Sequence, residues 1–304
     1  MAGDMQAARI PSPQPTSDLS DFGQLKAASL GKPQFARREA RALAARSLPP
    51  IPGIAPLLAC LALLLAWDVA ARLVAIDSLP SPWSVLNELP KLLSDREVLL
   101  NILDSLRRMA TGFALAVLFS IPLGLSMGRS RLVAASCNPL MMVIYPVPKA
   151  ALMPIIMLWL GVGEAAKMLV IFLGVSLPVI YHSYQGARAV EEKMLWSAAA
   201  MGMEARTRLM RVVLPAALPE IMVGARTGLV LALITMVTSE MIARQSGIGN
   251  VLFNALDMAQ YQPVYAAIVV IGMIGLLLDV AFEKLRGKLV SWADPAFPIM
   301  AGST

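Results

Sequence analysis

The sequence predicts an all-α polytopic membrane protein with six transmembrane helices. Of its residues, 57% are hydrophobic and only 15% charged, whereas soluble domains are about half apolar and about a quarter charged. The apolar residues are gathered into runs close to the ~20 that a helix needs to cross the hydrocarbon core. The basic residues behind the net charge of +6 border those runs. They form no patch interleaved with aromatics, which argues against nucleic acid as a partner.

Residues 1–50 differ from the rest. "RIPSPQPTSDLSDFG" is rich in Pro, Ser and Asp and has no apolar period, so a disordered basic tail is expected. "PQFARREARALAARSLPP" follows, with Arg37, Arg38, Arg41 and Arg46. It reads equally as a short amphipathic helix on the lipid surface and as a solvated charged tail. The first apolar run begins near Ile51 and is long enough to remain as an anchor, so no cleaved signal is expected.

The six spans fall at about 53–75, 109–127, 139–160, 166–182, 221–242 and 264–282. If the N-terminus is cytoplasmic, seventeen Lys and Arg lie on that side and six, Lys91, Arg96, Arg107, Arg108, Lys167 and Arg244, on the other. The excess predicts both termini inside. It also places the loop 187–220 in the cytoplasm and Lys91 outside.

Within that loop, "WSAAAMGMEARTRLMRVVLPAALPE" (196–220) is unusual between two spans. "EEKMLWSAAAM" favours helix and its alanines offer a close-approach surface. Gly202 can end that helix in a left-handed conformation. "MEARTRLMRVVLP" reads as a second short helix stopped by Pro215, with Leu209, Val212 and Val213 as its anchor. Such a pair of helices is either a rigid knob for docking into another protein or a plain interfacial connector.

The third span contains Pro139, Pro146, Pro148 and Pro154. Interior prolines remove helix hydrogen bonds, and broken helices at membrane depth are tolerated where protein or a water-filled cavity satisfies the freed groups. Lys149 sits at that break. It is a candidate to attract an anionic solute, although snorkelling or pairing with a carboxylate is the favoured reading. Glu240, near the outer end of span five, is a candidate pathway residue, but an ion pair with Arg244 four positions on is favoured. Asp68 and Arg72 repeat that spacing. Asp279 is expected to meet Lys284 or Arg286, Arg226 to snorkel inward, and His182 to lie at the interface beside Tyr181 and Tyr184. Cys60 and Cys137 show no metal-ligand spacing, and the methionines read as packing residues. There is no nucleophile–base pair and no ligand cluster, so neither an enzyme nor a metal site is expected.

Around the loop the spacing is Gly202, nine residues, Val212, Val213 and then Leu214-Pro215. This resembles the cytoplasmic coupling loop of ABC-importer permeases, the membrane subunits of binding-protein-dependent transporters. Trp196-Ser197-Ala198 stand where the family has Glu-Ala-Ala, with Glu191 and Glu192 earlier and out of register. The resemblance extends over about 80–293. "LPSPWSVL", "SLRRMATGFALAVLFSIPLGLSMGRS", "YPVPKAALMPIIMLWLGVGE" and "TSEMIARQSGIGNVLFNALD" are similar to the branch that imports sulfonates, taurine, nitrate and related solutes. A thiamine-precursor pyrimidine is a further compatible cargo.

The resemblance implies a five-helix permease core at 79–293, preceded by an extra span at 51–78 and followed by a cytoplasmic tail at 294–304. It implies an inner-membrane location, a homodimer of permeases, cytoplasmic ATPase subunits, a periplasmic solute-binding protein and surrounding lipid. It makes Ala198, Ala199, Gly202, Glu204, Leu214 and Pro215 the ATPase-coupling residues; Pro146, Lys149 and Glu240 are candidates for the solute pathway from the proline break and the intramembrane charges alone. The chain has no G-x-x-x-x-G-K-[ST] phosphate loop, so ATP would be hydrolysed by a partner, with no cofactor in this chain. The competing reading is a secondary transporter that works alone; its expected inverted repeat and mid-membrane carboxylates are not evident.

Overall fold

The computed structural model describes residues 54–292. Among them every regular element is helical. The elements are α1 (Ile54–Val74), α2 (Pro82–Ser94), α3 (Arg96–Arg129), α4 (Arg131–Ile144), a 3-10 turn (Lys149–Leu152), α5 (Met153–Leu160) and α6 (Glu164–Ala189). They continue with α7 (Glu192–Ala200), α8 (Ala205–Arg208), a π turn (Leu209–Val213), α9 (Leu214–Ala243), α10 (Ile248–Asp257) and α11 (Tyr261–Leu289). Five helices are long and apolar enough to cross a membrane, or six if the bent pair α4 and 149–160 counts as one span. The tail readings for 1–50 and 294–304 lie outside the described residues.

The chain divides within α1 into Met1–Leu64 and Leu65–Thr304. The described part of the first unit is the apolar first half of α1. In the second unit, α6 is the central helix, packed along α3 on one side and α9 on the other. Small residues make that close packing possible. A Cβ on Gly124 of α3 would come within 2.5 Å of the Ser183 Cβ on α6. One on Gly224 of α9 would come within 2.5 Å of the His182 Cβ. Ile171, Val175 and Val179 of α6 then form the middle of a core with Met109 and Ala116 of α3 and Ala232 and Met236 of α9.

Besides the short helices of the loop 187–220, two helices lie outside the expected spans. Helix α2 starts at an N-cap, Ser81, with Pro82 in its first turn; this Ser-Pro pair is an ordinary helix-start signal. It packs against α11. Helix α10 follows the glycine-rich "SGIG" and fills the angle between α9 and α11.

Pro215 does not stop the helix that precedes it. Helical structure runs from Ala205 to Ala243 without a break. The proline removes the bond its own N–H would have made one turn back. The chain accommodates this by widening: the Leu214 N–H reaches the Leu209 carbonyl, five residues back, and the helix then resumes.

Candidate functional site

Three places bring the candidate residues together. The first is the segment after α6. Helix α7 ends in a glycine-terminated cap: Gly202 N–H donates to Ala199 O at 2.9 Å and Met203 N–H to Ala198 O at 3.1 Å. This pair of bonds requires a left-handed residue at Gly202, and its φ is +80°, as the sequence predicts. Leu195 and Ala198 are buried, in α7. Leu195 shares a small core with Leu125, Ala187 and Val213, against which Leu209 and Val212 pack. Arg129, at the end of α3, donates to Glu192 at 3.0 Å. Ala199, Trp196, Met201 and Glu204 remain on the outside, with Trp196 66% and Met201 71% exposed. Leu214 and Pro215 lie past the π turn, at the start of α9.

The second place is the broken span. Helix α4 and residues 149–160 meet at 84°, with Pro146 and Pro148 at the corner. Lys149 finds no carboxylate within ion-pair distance among the described residues. Its Nζ folds back and donates to Ile144 O at 2.8 Å and Tyr145 O at 2.9 Å. Those carbonyls end α4, where Pro146 and Pro148 supply no N–H; Ile144 O also accepts from Val147 N–H at 3.2 Å.

The third place is a buried charge network that local spacing does not reveal. Glu240 does not pair with Arg244. Arg244 lies past the last turn of α9 in a left-handed conformation, φ +53°, so it leaves the helix face. It pairs instead with Asp257 and lies over the Phe253 ring at 4.2 Å. Glu240, 0% exposed, accepts from Arg108 Nη1 at 2.8 Å, from Ser105 Oγ at 2.7 Å and from Gly249 N–H at 3.0 Å. Arg108, counted above among external loop charges, is an interior residue of α3, 2% exposed. It also reaches Glu164 at 2.5 Å and the carbonyl and hydroxyl of Ser246. Lys167 is fully buried and donates to Ser246 O at 3.3 Å. Gly247 N–H donates to Asn101 at 2.6 Å and Ile248 N–H to Ser105 at 2.9 Å. The turn 246–249 is thus pinned to α3, α6 and α9 at once. A buried charge is tolerated when it is paired and hydrogen-bonded in this way.

The remaining ion pairs separate the expectations. Asp68 and Arg72 do pair, at 2.8 Å. Asp279 meets neither Lys284 nor Arg286; it takes two bonds of 2.7 Å from Arg226, which bridges to α11 instead of snorkelling. His182 Nδ1 lies 2.7 Å from Glu220, with Tyr181 edge-on at 5.4 Å.

The segment after α6 and the charge network lie near different ends of α3. Arg108 and Arg129 share α3, and at 1.5 Å per residue they are about 30 Å apart.

Comparison with known proteins gives one consistent answer. Residues 120–290 match the family model described as a binding-protein-dependent transport system inner membrane component. The taurine transport system permease protein TauC of Escherichia coli K12 is 34% identical over 74% of this chain and 84% of its own length. The putative aliphatic sulfonates transport permease SsuC of Bacillus subtilis 168 is 29% identical over 75% and 83%. The nitrate import permease NrtB of Synechocystis is 27% identical over 78% and 89%. Among solved structures, an inward-facing conformation of the MetNI methionine ABC transporter superposes with a TM-score of 0.57 at 14% identity. That match covers 63% of this chain and 95% of the other, and it bears on fold alone. With its apolar spans and this match, the chain belongs to the binding-protein-dependent transport system inner membrane components, as a multi-pass transport permease.

Proposed function

We propose that this chain is the permease of an ATP-driven importer for a small anionic solute of the sulfonate, taurine or nitrate class. In this reading a separate cytoplasmic ATPase docks on the segment from Glu192 to Val213, and a solute-binding protein delivers cargo on the opposite face. Two copies of the chain line the pathway, and both termini are cytoplasmic. Ala198, Ala199, Gly202, Glu204, Leu214 and Pro215 form or support the docking segment.

The observation that carries the reading is mechanical. The docking segment is not a loose loop, because helical structure is unbroken from Ala205 to Ala243. Force applied between Ala205 and Val213 is therefore delivered to α9, and α9 packs along the central helix α6. Rigid packed helices transmit displacement where a flexible connector would absorb it. Names of relatives at 27–34% identity favour small oxyanions.

The test is reconstitution. The chain, co-expressed with a candidate ATPase and binding protein, is purified and placed in liposomes. ATP-dependent uptake of taurine, ethanesulfonate or nitrate that requires both partners is the expected result. Uptake by the chain alone, driven by an ion gradient, overturns the proposal.

A further inference from the structure

The corner at Lys149 lies deep in the membrane. Helix α4 starts at Arg131, directly after the end of α3 at Arg129. Its 14 residues climb at most about 21 Å. From the other side, the 8 residues of α5 descend at most about 12 Å from the Gly161–Gly163 turn that opens α6. Met153 at the start of α5 belongs to one buried cluster with Val170 and Leu173, the second and third turns of α6, and with Ala166 and Ala243 at the ends of α6 and α9. The corner therefore falls inside the ~30 Å hydrocarbon layer.

It is also on the outside of the protomer. Tyr145 is 73% exposed, and Pro146 and Pro148 are exposed beside it. Lys149 itself is only half-buried. Lipid cannot solvate an irregular backbone or an ammonium group, so such a surface must face protein or water. No carboxylate among the described residues lies within ion-pair distance of Lys149, unlike Arg108 and Arg226, which do have such partners. Two of its three N–H groups hold the Ile144 and Tyr145 carbonyls, which fixes the charge in place without neutralising it. The buried network around Glu240 presents no comparable charge at the surface, because Arg108 is paired and 2% exposed and Lys167 is fully buried.

We propose that Lys149 stands in the water-filled solute pathway as a fixed positive charge, and that it meets the anionic group of the solute at mid-depth. It is thus a specificity-determining residue. The solute part of this inference rests on the importer reading above; the placement of the charge does not.

The experiment separates the two. Tyr145→Cys is made with Cys60→Ser and Cys137→Ser, in the full transporter in membrane vesicles. Its labelling rates are measured with two membrane-impermeant thiosulfonates of similar size, one ending in a sulfonate and one in a trimethylammonium. Both should label, with the anionic reagent faster. Lys149→Gln should cut the anionic-to-cationic ratio by about tenfold, from attraction lost on one side and repulsion lost on the other across ~6 Å of water. Lys149→Arg should keep the ratio. The Gln amide can still donate to the carbonyls, so a purely structural lysine predicts an unchanged ratio. An unchanged ratio, or no labelling by either reagent, overturns the proposal. With the cysteine restored to Tyr, Lys149→Gln should also lower ethanesulfonate uptake about tenfold while Lys149→Arg retains it. Uptake unaffected by Lys149→Gln overturns the specificity role. If the parent transporter moves none of the oxyanion probes while the labelling preference stands, the solute class is wrong and the placement of Lys149 is not.

Discussion

The Glu240 carboxylate and the Arg108 guanidinium meet at 2.8 Å with 0% and 2% of their side chains exposed. They join the last turn of α9 to the middle of α3. Removing Arg108 leaves the Glu240 carboxylate charged, dry and without its ion-pair partner, whereas removing Glu240 leaves Arg108 still paired with Glu164. Arg108→Met is therefore expected to destabilise by about 3–5 kcal/mol. Glu240→Gln should cost less, because the amide still accepts from Ser105 and Gly249. The double variant should be more stable than Arg108→Met alone. Thermal unfolding of the detergent-solubilised proteins checks the order, and a double variant worse than both singles rejects it.

The turn that this pair supports makes a second contrast. Gly247 has φ +110°, and a Cβ there would overlap the Glu240 carboxylate. Gly161 has φ +76° with nothing within 4 Å of its Cβ position. Both substitutions to Ala carry the left-handed penalty of roughly 1–2 kcal/mol. Only Gly247→Ala should also displace the network, so its loss of stability should clearly exceed that of Gly161→Ala. Equal losses in the same unfolding assay would mean that the carboxylate moves aside without cost.

These cases show how far sequence reasoning reaches. The membrane class, the long apolar helices, the left-handed Gly202 and the break around Pro146 follow from composition, run length and residue type, all local properties. What escaped was non-local. Spacing offered Arg244 to Glu240 because it lies one helical turn on, but the helix ends there with Arg244 left-handed. The true partner is far along the chain, in a stretch where Arg107 and Arg108 looked like loop charges flanking a span. Lys167 was misread in the same way. At Pro215 the residue type argued for a stop, and a widened turn, which no single residue signals, carried the helix past it.

The side of the membrane on which each end lies can be read with reporters. Positive charge predicts cytoplasmic signals for fusions after Lys288 and insertions near Arg206, and an external signal near Lys91. Arg206 is exposed on α8 and Lys91 on α2, so both insertions are accommodated. Matching signals at Lys91 and Arg206 would contradict the proposed orientation and the placement of the two partners.

The proposed docking segment gives the most discriminating pair of substitutions. Gly202→Val meets no neighbour, so its whole effect comes from backbone conformation. A β-branched residue resists φ +80° by on the order of 1–2 kcal/mol or more. The helix cap should open while the spans, which do not depend on it, still insert. Transporter level in the membrane should stay near normal, and stimulation of ATP hydrolysis by loaded binding protein should fall severalfold or more. The two alanines before it should separate. Ala198 is 3% exposed, so Ala198→Trp overpacks the joint between α7 and its support and should lower stability by about 1–3 kcal/mol. Ala199 is exposed, so Ala199→Trp should leave the isolated permease unchanged in thermal unfolding. It should nonetheless weaken capture of the ATPase, because a bulky ring prevents close approach. An Ala199→Trp permease that binds and stimulates its ATPase normally would show that this face of α7 is not the docking surface. If Gly202→Val also couples normally, the segment is only a connector between α6 and α9.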